Sequence, residues 1–347
     1  MKIERIETFI LKVPLGAERF FSSQCAFPER TSLIVKIVTD EGITGWGEGG
    51  QYGPPEPVKS CIDDILSKIV IGMDPHETNM IWETCYASIR DFGRKGPYIE
   101  GMSAIDIALW DILGKAYNKP VSALLGGAFR NNIVAYATGG YYKGNDYLDI
   151  EKSIAGIEEE AIKFADAGFE CFKIKIGLLS IKDDMRRVHA IKNVLHDGVT
   201  VLVDCNHAYN ASVAIRIGKE LEKYDIGWFE EPVLPEDING YRKVRENVNL
   251  QIAGGECEFT RYGFKDLLVN ECVDIIQPDI CVSGGFTEFL KIMAFATTFN
   301  VQVVPHVWGS GIAFATAIQA LSIIPPIPHT ANPQVLQNEP MIEYDQS

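Results

Sequence analysis

Long hydrophobic runs are missing from this chain: no stretch approaches the ~18 apolar residues of a membrane-spanning helix, and the opening Met1-Lys2-Ile3-Glu4-Arg5-Ile6-Glu7 reads as an amphipathic strand rather than a signal peptide. Positive charge is also short. Lys and Arg number 32 against 47 Asp and Glu, a net charge of −15, so nucleic acid and anionic membranes are excluded as partners because their phosphates would be repelled. An acidic protein that binds an acidic substrate must therefore gather its positive charge locally. The eight cysteines, at 25, 61, 85, 171, 205, 257, 272 and 281, form no C-x-x-C pair, and several sit in apolar runs. That argues against a disulfide framework and for reduced core thiols in a cytoplasmic protein. There is no solenoid repeat and no low-complexity segment. Histidine is sparse, six in all, and only His207 and His306 fall at expected strand ends, too few for a hydrolase built on clustered histidines.

The apolar content, 46% of 347 residues, supplies ample core for a small domain plus a barrel-sized one. The first unit, placed at 1–128, is expected to be an α+β capping domain. Residues 2–13 and 31–38 alternate apolar and polar, Asp40-Glu41-Gly42 is a tight turn, and Ile43–Glu48 returns as a third strand. Helices follow near 57–70, 76–90 and 98–118, the last with Ile105, Ala108, Leu109, Ile112 and Leu113 at helical spacing. From about 133 the texture changes. Short apolar runs at 133–137, 171–176, 200–203, 226–229, 251–253, 274–276, 301–304 and 341–344 alternate with seven amphipathic helical patterns. Strands joined by crossover helices imply a parallel sheet, and so many units in succession imply an α/β, TIM-like (β/α)7β barrel over 129–347, with its chemistry at the strand ends.

The most informative stretch is Glu170-Cys171-Phe172-Lys173-Ile174-Lys175-Ile176-Gly177. The two-residue period of a strand puts Lys173 and Lys175 on one face. Buried lysines need carboxylates opposite them or a task. A neighbouring positive charge disfavours the protonated form, so one lysine of the pair can serve as a neutral base. Lowering a lysine from ~10.4 to ~7–8 takes roughly 4 kcal/mol of differential interaction, which implies an enclosed site.

Successive strand ends then present Asp204 in Val203-Asp204-Cys205-Asn206, Glu230 in Trp228-Phe229-Glu230-Glu231-Pro232, and Glu256 in Gly254-Gly255-Glu256. Three converging carboxylates repel one another unless a divalent cation neutralises them. An all-oxygen set favours Mg²⁺, with Mn²⁺ a substitute, over zinc. The next two ends carry Asp279 and His306, and a carboxylate beside an imidazole fixes its tautomer and raises its basicity.

The Lys-x-Lys strand, the Asp204/Glu230/Glu256 set and the Asp279/His306 pair resemble the mandelate racemase/muconate lactonizing enzyme branch of the enolase superfamily. The likeness covers nearly the whole chain, including the 103–111 helix. Within that branch, Arg261-Tyr262-Gly263, Gly284-Gly285-Phe286, Pro305-His306-Val307-Trp308-Gly309 and Ile342-Glu343-Tyr344-Asp345 are similar to cycloisomerases that open sugar-acid lactones. The resemblance implies Lys175 as the base, Lys173 as its modulator and carboxylate contact, and His306, oriented by Asp279, on the opposite face. It implies a protonated Glu343 bonded to the enolate oxygen and Asn206 helping to hold the substrate carboxylate. His207 reads as packing or a hydroxyl contact. Loops 16–30 and 49–55 are expected to form a lid, with Arg19, Phe20, Gln51 and Tyr52 as candidate contacts and Trp308 beside them. A dehydratase or racemase using the same residues stays open. A small carboxylate substrate and a homo-oligomer are expected. Members of the branch continue past the last barrel strand to complete the cap, whereas this sequence stops at Ser347, so the final cap segment is expected to be absent.

Overall fold

The computed structural model describes residues 1–50, 52–196, 198–331 and 340–346. The first sheet is an antiparallel meander of Ile3–Pro14, Glu29–Thr39 and Thr44–Gly49. Its inner face sets Leu33, Val35 and Ile37 against Ala104, Ile105, Ala108 and Ile112 of the helix Pro97–Tyr117.

The third strand owes its Gly45-x-Gly47-x-Gly49 pattern to that helix. A methyl added at Gly45, Gly47 or Gly49 would lie 2.0, 2.0 and 2.5 Å from the carbonyl oxygens of Ala108, Ala104 and Glu100. Only glycine lets strand and helix backbones approach this closely. Gly47→Ala is therefore expected to cost about 1–3 kcal/mol or more through overpacking, read as a lowered Tm; an unchanged Tm would mean the helix shifts freely.

The same segments dock onto the second sheet by capping its helices. Glu48 accepts hydrogen bonds from Ser310 N–H at 2.9 Å and Ala313 N–H at 3.0 Å, at the N-terminus of Gly311–Ile323. Asp106 accepts from Thr287 N–H at 2.9 Å in the first turn of Gly285–Thr298. Each carboxylate satisfies donors that a helix start leaves unpaired and faces the positive end of its dipole.

The second sheet has eight parallel strands, in the order Gln302–Val303, Ile275–Ile276, Ile252–Gly254, Ile226–Glu230, Thr200–Asp204, Cys171–Lys175, Ala135–Thr138 and Ile342–Asp345. Among the described residues, seven long helices lie between consecutive strands, from Ile150–Asp166 to Gly311–Ile323. The sheet curls, and its edge strands share no ladder among the described residues. At the seam the Glu343 carboxylate accepts Val307 N–H at 3.3 Å. The barrel interior is floored by one layer, with Tyr136, Cys171, Leu202, Trp228, Ala253, Ile275 and Val304 from seven of the eight strands or their ends and Met341, just before the eighth, packed against them.

One pleat further toward the strand ends, the same inward positions carry Thr138, Lys173, Asp204, Glu230, Gln277, His306 and Glu343. An apolar floor beneath a polar layer is thus written into the period of each strand. A small third sheet, Phe20–Phe21, Ala26–Phe27 and Tyr142–Lys143, is not foreseen from the sequence, because two-residue strands carry no period. It ties the 16–30 loop to the barrel mouth, where Ser23 Oγ donates to Cys205 O at 2.5 Å and Asn206 O at 3.1 Å. No helix among the described residues is long and apolar enough to cross a membrane.

Candidate active site

The lysine strand is buried throughout. Lys173 is fully enclosed, its Nζ 2.8 Å from Glu230 Oε1 and 2.9 Å from Glu343 Oε1. Lys175 donates to Asp204 Oδ2, its register partner on the next strand. Asp204 also accepts Asn206 N–H at 2.9 Å, and Glu230 accepts Trp228 Nε1–H at 2.7 Å. Ligand oxygens of Asp204, Glu230 and Glu256 come within 4.8 Å of one another. Glu256 Oε2 is buried and accepts no hydrogen bond among the described residues. An orphaned carboxylate oxygen in an all-oxygen triad fits a hard divalent cation.

The charges are mutually adjusted. Burial pushes the Glu230 carboxyl up, Lys173 opposes this, and the neighbouring carboxylates add to it, leaving it at about 7. For Lys175, burial pulls downward, but Asp204, Tyr141 and Glu256 together overcome it and hold the ammonium well above its ordinary range. The lysine pair alone suggests a lowered value; that expectation omits the carboxylate bonded to Nζ. Glu343 departs from expectation as well. Burial opposes its ionisation, yet Lys173, then His306 and Lys175, hold the carboxyl far below the usual range. With Thr138 Oγ1–H donating at 2.6 Å, it is a carboxylate here rather than the protonated acid expected.

His306 Nδ1 lies 2.8 Å from Asp279 Oδ2, as the adjacent strand ends suggested. Its Nε2 lies 3.4 Å from Glu256 Oε2 and 3.7 Å from Glu343 Oε2. Burial lowers its proton affinity, but Glu256, Glu343 and Asp279 overcome that and bring it to about 9. The imidazole is therefore a cation at neutral pH, placed to give up a proton. In the sheet the lysine strand flanks the three carboxylate strands on one side, and Asp279 and His306 follow them on the other.

The lid positions divide. Tyr52 Oη sits 2.7 Å from His306 Nδ1 and 3.4 Å from Asp279 Oδ2, so this residue of the 49–55 loop rests on the dyad itself. Trp308 is half-buried, stacked at 6.5 Å from Tyr52 and covered by the Arg30 guanidinium at 4.2 Å. Tyr52, Trp308, Phe27 and Cys25 line a cavity of about 380 Å³ together with Lys12, Glu29 and Thr31 of the meander, outside the carboxylate cluster. Phe20 is buried behind Tyr141, ring centroids 4.5 Å apart, and the Tyr141 ring lies 5.3 Å from Lys175 Nζ. Phe20 thus backs the site instead of touching a ligand. Arg19 is exposed, its guanidinium 3.5 Å from Asn145 Oδ1 and beside the Phe21 ring. Gln51 lies outside the described residues. Asn206 is buried, and its Oδ1 has no hydrogen-bond partner among the described residues. The sequence reading misses Tyr141 and Arg30. Tyr141 follows Gly139-Gly140 just past a strand end, a signal that could have marked it; Arg30 carries none.

The fold and these strand ends define the class. Residues 5–126 match the mandelate racemase / muconate lactonizing enzyme N-terminal domain, and residues 156–343 the enolase C-terminal domain-like family. The chain belongs to this family of enzymes. Among its relatives, D-galactarolactone cycloisomerase of Agrobacterium fabrum is 38% identical over 100% of this chain and 88% of its own. Arabinonate dehydratase of Saccharolobus solfataricus is 35% identical over 81% of this chain and 74% of its own. Of solved structures, the 3,6-anhydro-D-galactonate cycloisomerase from Zobellia galactanivorans superposes with a TM-score of 0.86 at 39% identity, covering 100% of this chain and 88% of that one. A racemase from Streptomyces coelicolor with bound magnesium gives a TM-score of 0.86 at 28% identity, covering 99% and 89%.

Proposed function

We propose that the protein removes the proton next to the carboxylate of a sugar acid or sugar-acid lactone and expels the oxygen on the β carbon. The reaction assigned is ring opening of a galactarolactone-type substrate to a keto-deoxy sugar diacid. The observation that carries this reading is the placement of Lys175 and His306 on either side of the three-carboxylate cluster. Support for the substrate class comes from the cycloisomerase relatives.

Asp204, Glu230 and Glu256 would hold Mg²⁺, with Mn²⁺ able to replace it. Such a cation, when bound, stabilises the second negative charge that develops on the substrate carboxylate. With Asp204 and Glu256 engaged as ligands, burial and Lys173 push the proton off Lys175, and only the Tyr141 phenol still opposes them. Neutral Lys175 then takes the α proton, the bond from the β carbon to the ring oxygen breaks, and the electron pair stays on that oxygen. In a lactone the ring oxygen departs as a carboxylate, a stable anion that needs no acid. The resulting enol goes to the ketone, with His306 as the proton donor on the opposite face, Asp279 holding its ring and Asn206 contacting the substrate.

A second reading, an acid-sugar dehydratase, is favoured by the arabinonate dehydratase relative. There the leaving group is hydroxide, which must be protonated as it departs, so His306 would be needed in the bond-breaking step itself. The two are separated by proton NMR in D₂O with Mg²⁺ over a panel of sugar diacids, monoacids and their lactones, beside a chelator-treated control. Loss of the α signal from a lactone, with a keto-deoxy product, is the expected result. Consumption of the open acid alone would replace the cycloisomerase by the dehydratase, and exchange without net product would indicate a racemase. Silence throughout would overturn the substrate class.

A further inference from the structure

A second constellation lies beside the carboxylate triad and shares none of its side chains. His207, Glu231 and Cys257 follow Asp204, Glu230 and Glu256 by one to three residues, and their donor atoms lie within 4.8 Å of one another. The reaction proposed above uses none of the three. The sequence reading gave His207 a packing or hydroxyl-contact role and assigned nothing to Glu231 or Cys257.

The two edges that meet at His207 have the lengths of ligands around an ion. His207 Nε2 is 3.3 Å from Glu231 Oε2 and 3.7 Å from Cys257 Sγ. Tetrahedral zinc holds nitrogen and carboxylate oxygen at about 2.0–2.1 Å and thiolate sulfur at about 2.3 Å, which sets the N···O edge at ~3.3 Å and the N···S edge at ~3.6 Å. A purely hydrogen-bonded cluster does not account for Glu231. Its side chain is only 1% exposed, and its Oε2, although close to the imidazole, accepts no hydrogen bond among the described residues. A buried carboxylate oxygen beside an imidazole nitrogen and within 4.8 Å of a thiol sulfur, yet making no hydrogen bond among the described residues, is what an ion would resolve.

We propose that His207, Glu231 and Cys257 form a second cation site, for a zinc-type divalent ion, with a fourth position open to water or another oxygen ligand. The donor sets sort the ions: three carboxylates suit hard Mg²⁺, whereas imidazole with thiolate selects Zn²⁺ or Co²⁺. On binding, Cys257 ligates as thiolate and its proton passes to solvent. His207 Nδ1 has no hydrogen-bond partner among the described residues. Outer-shell support of a ligand histidine is typically worth about 10–100-fold in affinity, so the site binds its ion more weakly than a buttressed structural zinc centre.

The test uses the full chain, stripped with chelator, saturated with Mg²⁺ to fill the carboxylate triad, and titrated with Co²⁺. One further equivalent of Co²⁺ per chain is expected, with thiolate-to-cobalt charge-transfer absorption that Zn²⁺ abolishes by displacement. Cys257→Ser should lose the charge-transfer band, and Glu231→Gln should weaken the Co²⁺ midpoint at least tenfold. If Cys257→Ser fails the circular-dichroism check for folding, His207→Gln decides by loss of the additional equivalent. Absence of the band, or absence of the extra equivalent, overturns the site. A band that persists in Cys257→Ser overturns it too, since another thiol, such as exposed Cys25, must then be the ligand. None of these readouts depends on turnover, so the outcome stands apart from the proposed reaction.

Discussion

Lys175→Ala is expected to lower turnover by about 10²–10⁴-fold, the range for a general base, while leaving the fold and Mg²⁺ binding intact. Lys175 reaches one carboxylate, Asp204, and its removal leaves that oxygen free for a cation. Both kcat and α-proton exchange into D₂O should fall together, because both need the same proton transfer. Lys173→Ala should behave differently. Its ammonium is wholly buried and sits within 3 Å of both Glu230 and Glu343, so truncation leaves two buried carboxylates uncompensated and costs about 3–5 kcal/mol of stability. Melting temperature separates the two variants where activity does not. Undiminished exchange in Lys175→Ala would remove it from the proton-transfer step.

Removal of the cation should be comparably severe. Chelation, or Glu256→Gln, is expected to abolish measurable turnover, with Mg²⁺ restoring the chelated wild type alone. Stability should follow a definite sign with pH. In the metal-free protein the Glu230 carboxyl is pushed up to about 7, against ~4.3 in an unfolded chain. Between those values the folded state holds a proton that the unfolded state releases. This group's contribution is therefore fully present below the unfolded value and is lost as pH rises through about 7. A bound cation takes the proton's place, so the Tm gap between Mg²⁺-loaded and stripped protein should widen from pH 5 to pH 8. At a hundredfold excess over Kd the ion would add about 2.7 kcal/mol. A gap that stays constant, or narrows, would detach Glu230 from the cation.

Much of this site is legible in the sequence because a barrel strand converts period into direction. Residues 136, 171, 202, 228, 275 and 304 face inward as a floor, and a step of two along each chain segment leads to Thr138, Lys173, Asp204, Glu230, Gln277 and His306. Glu256 stands one residue beyond that step, after Gly255 at φ +115, where the strand has already ended. The resemblance to a known family added the roles of Lys175, Glu343 and Asn206. What escaped lies in segments without a period. The short strands Phe20–Phe21 and Tyr142–Lys143 pair across more than a hundred residues, and Tyr52 meets His306 across 254 positions. Arg19, a candidate contact by its position in a flexible aromatic loop, lies beside Asn145, and Arg30 lies over the Trp308 ring.

The sequence alone determined the parallel barrel sheet, the meander before it, and which side chains point to a common centre, since alternation and strand-end position are local properties of the chain. The tertiary structure decided the charge states. Whether Lys175 is held protonated, Glu343 ionised, or Glu230 half-titrated near neutrality depends on ångström distances between buried groups on different strands. The same distances brought His207, Glu231 and Cys257 to one point, because three residues with no common period converge only when three strand ends are set side by side.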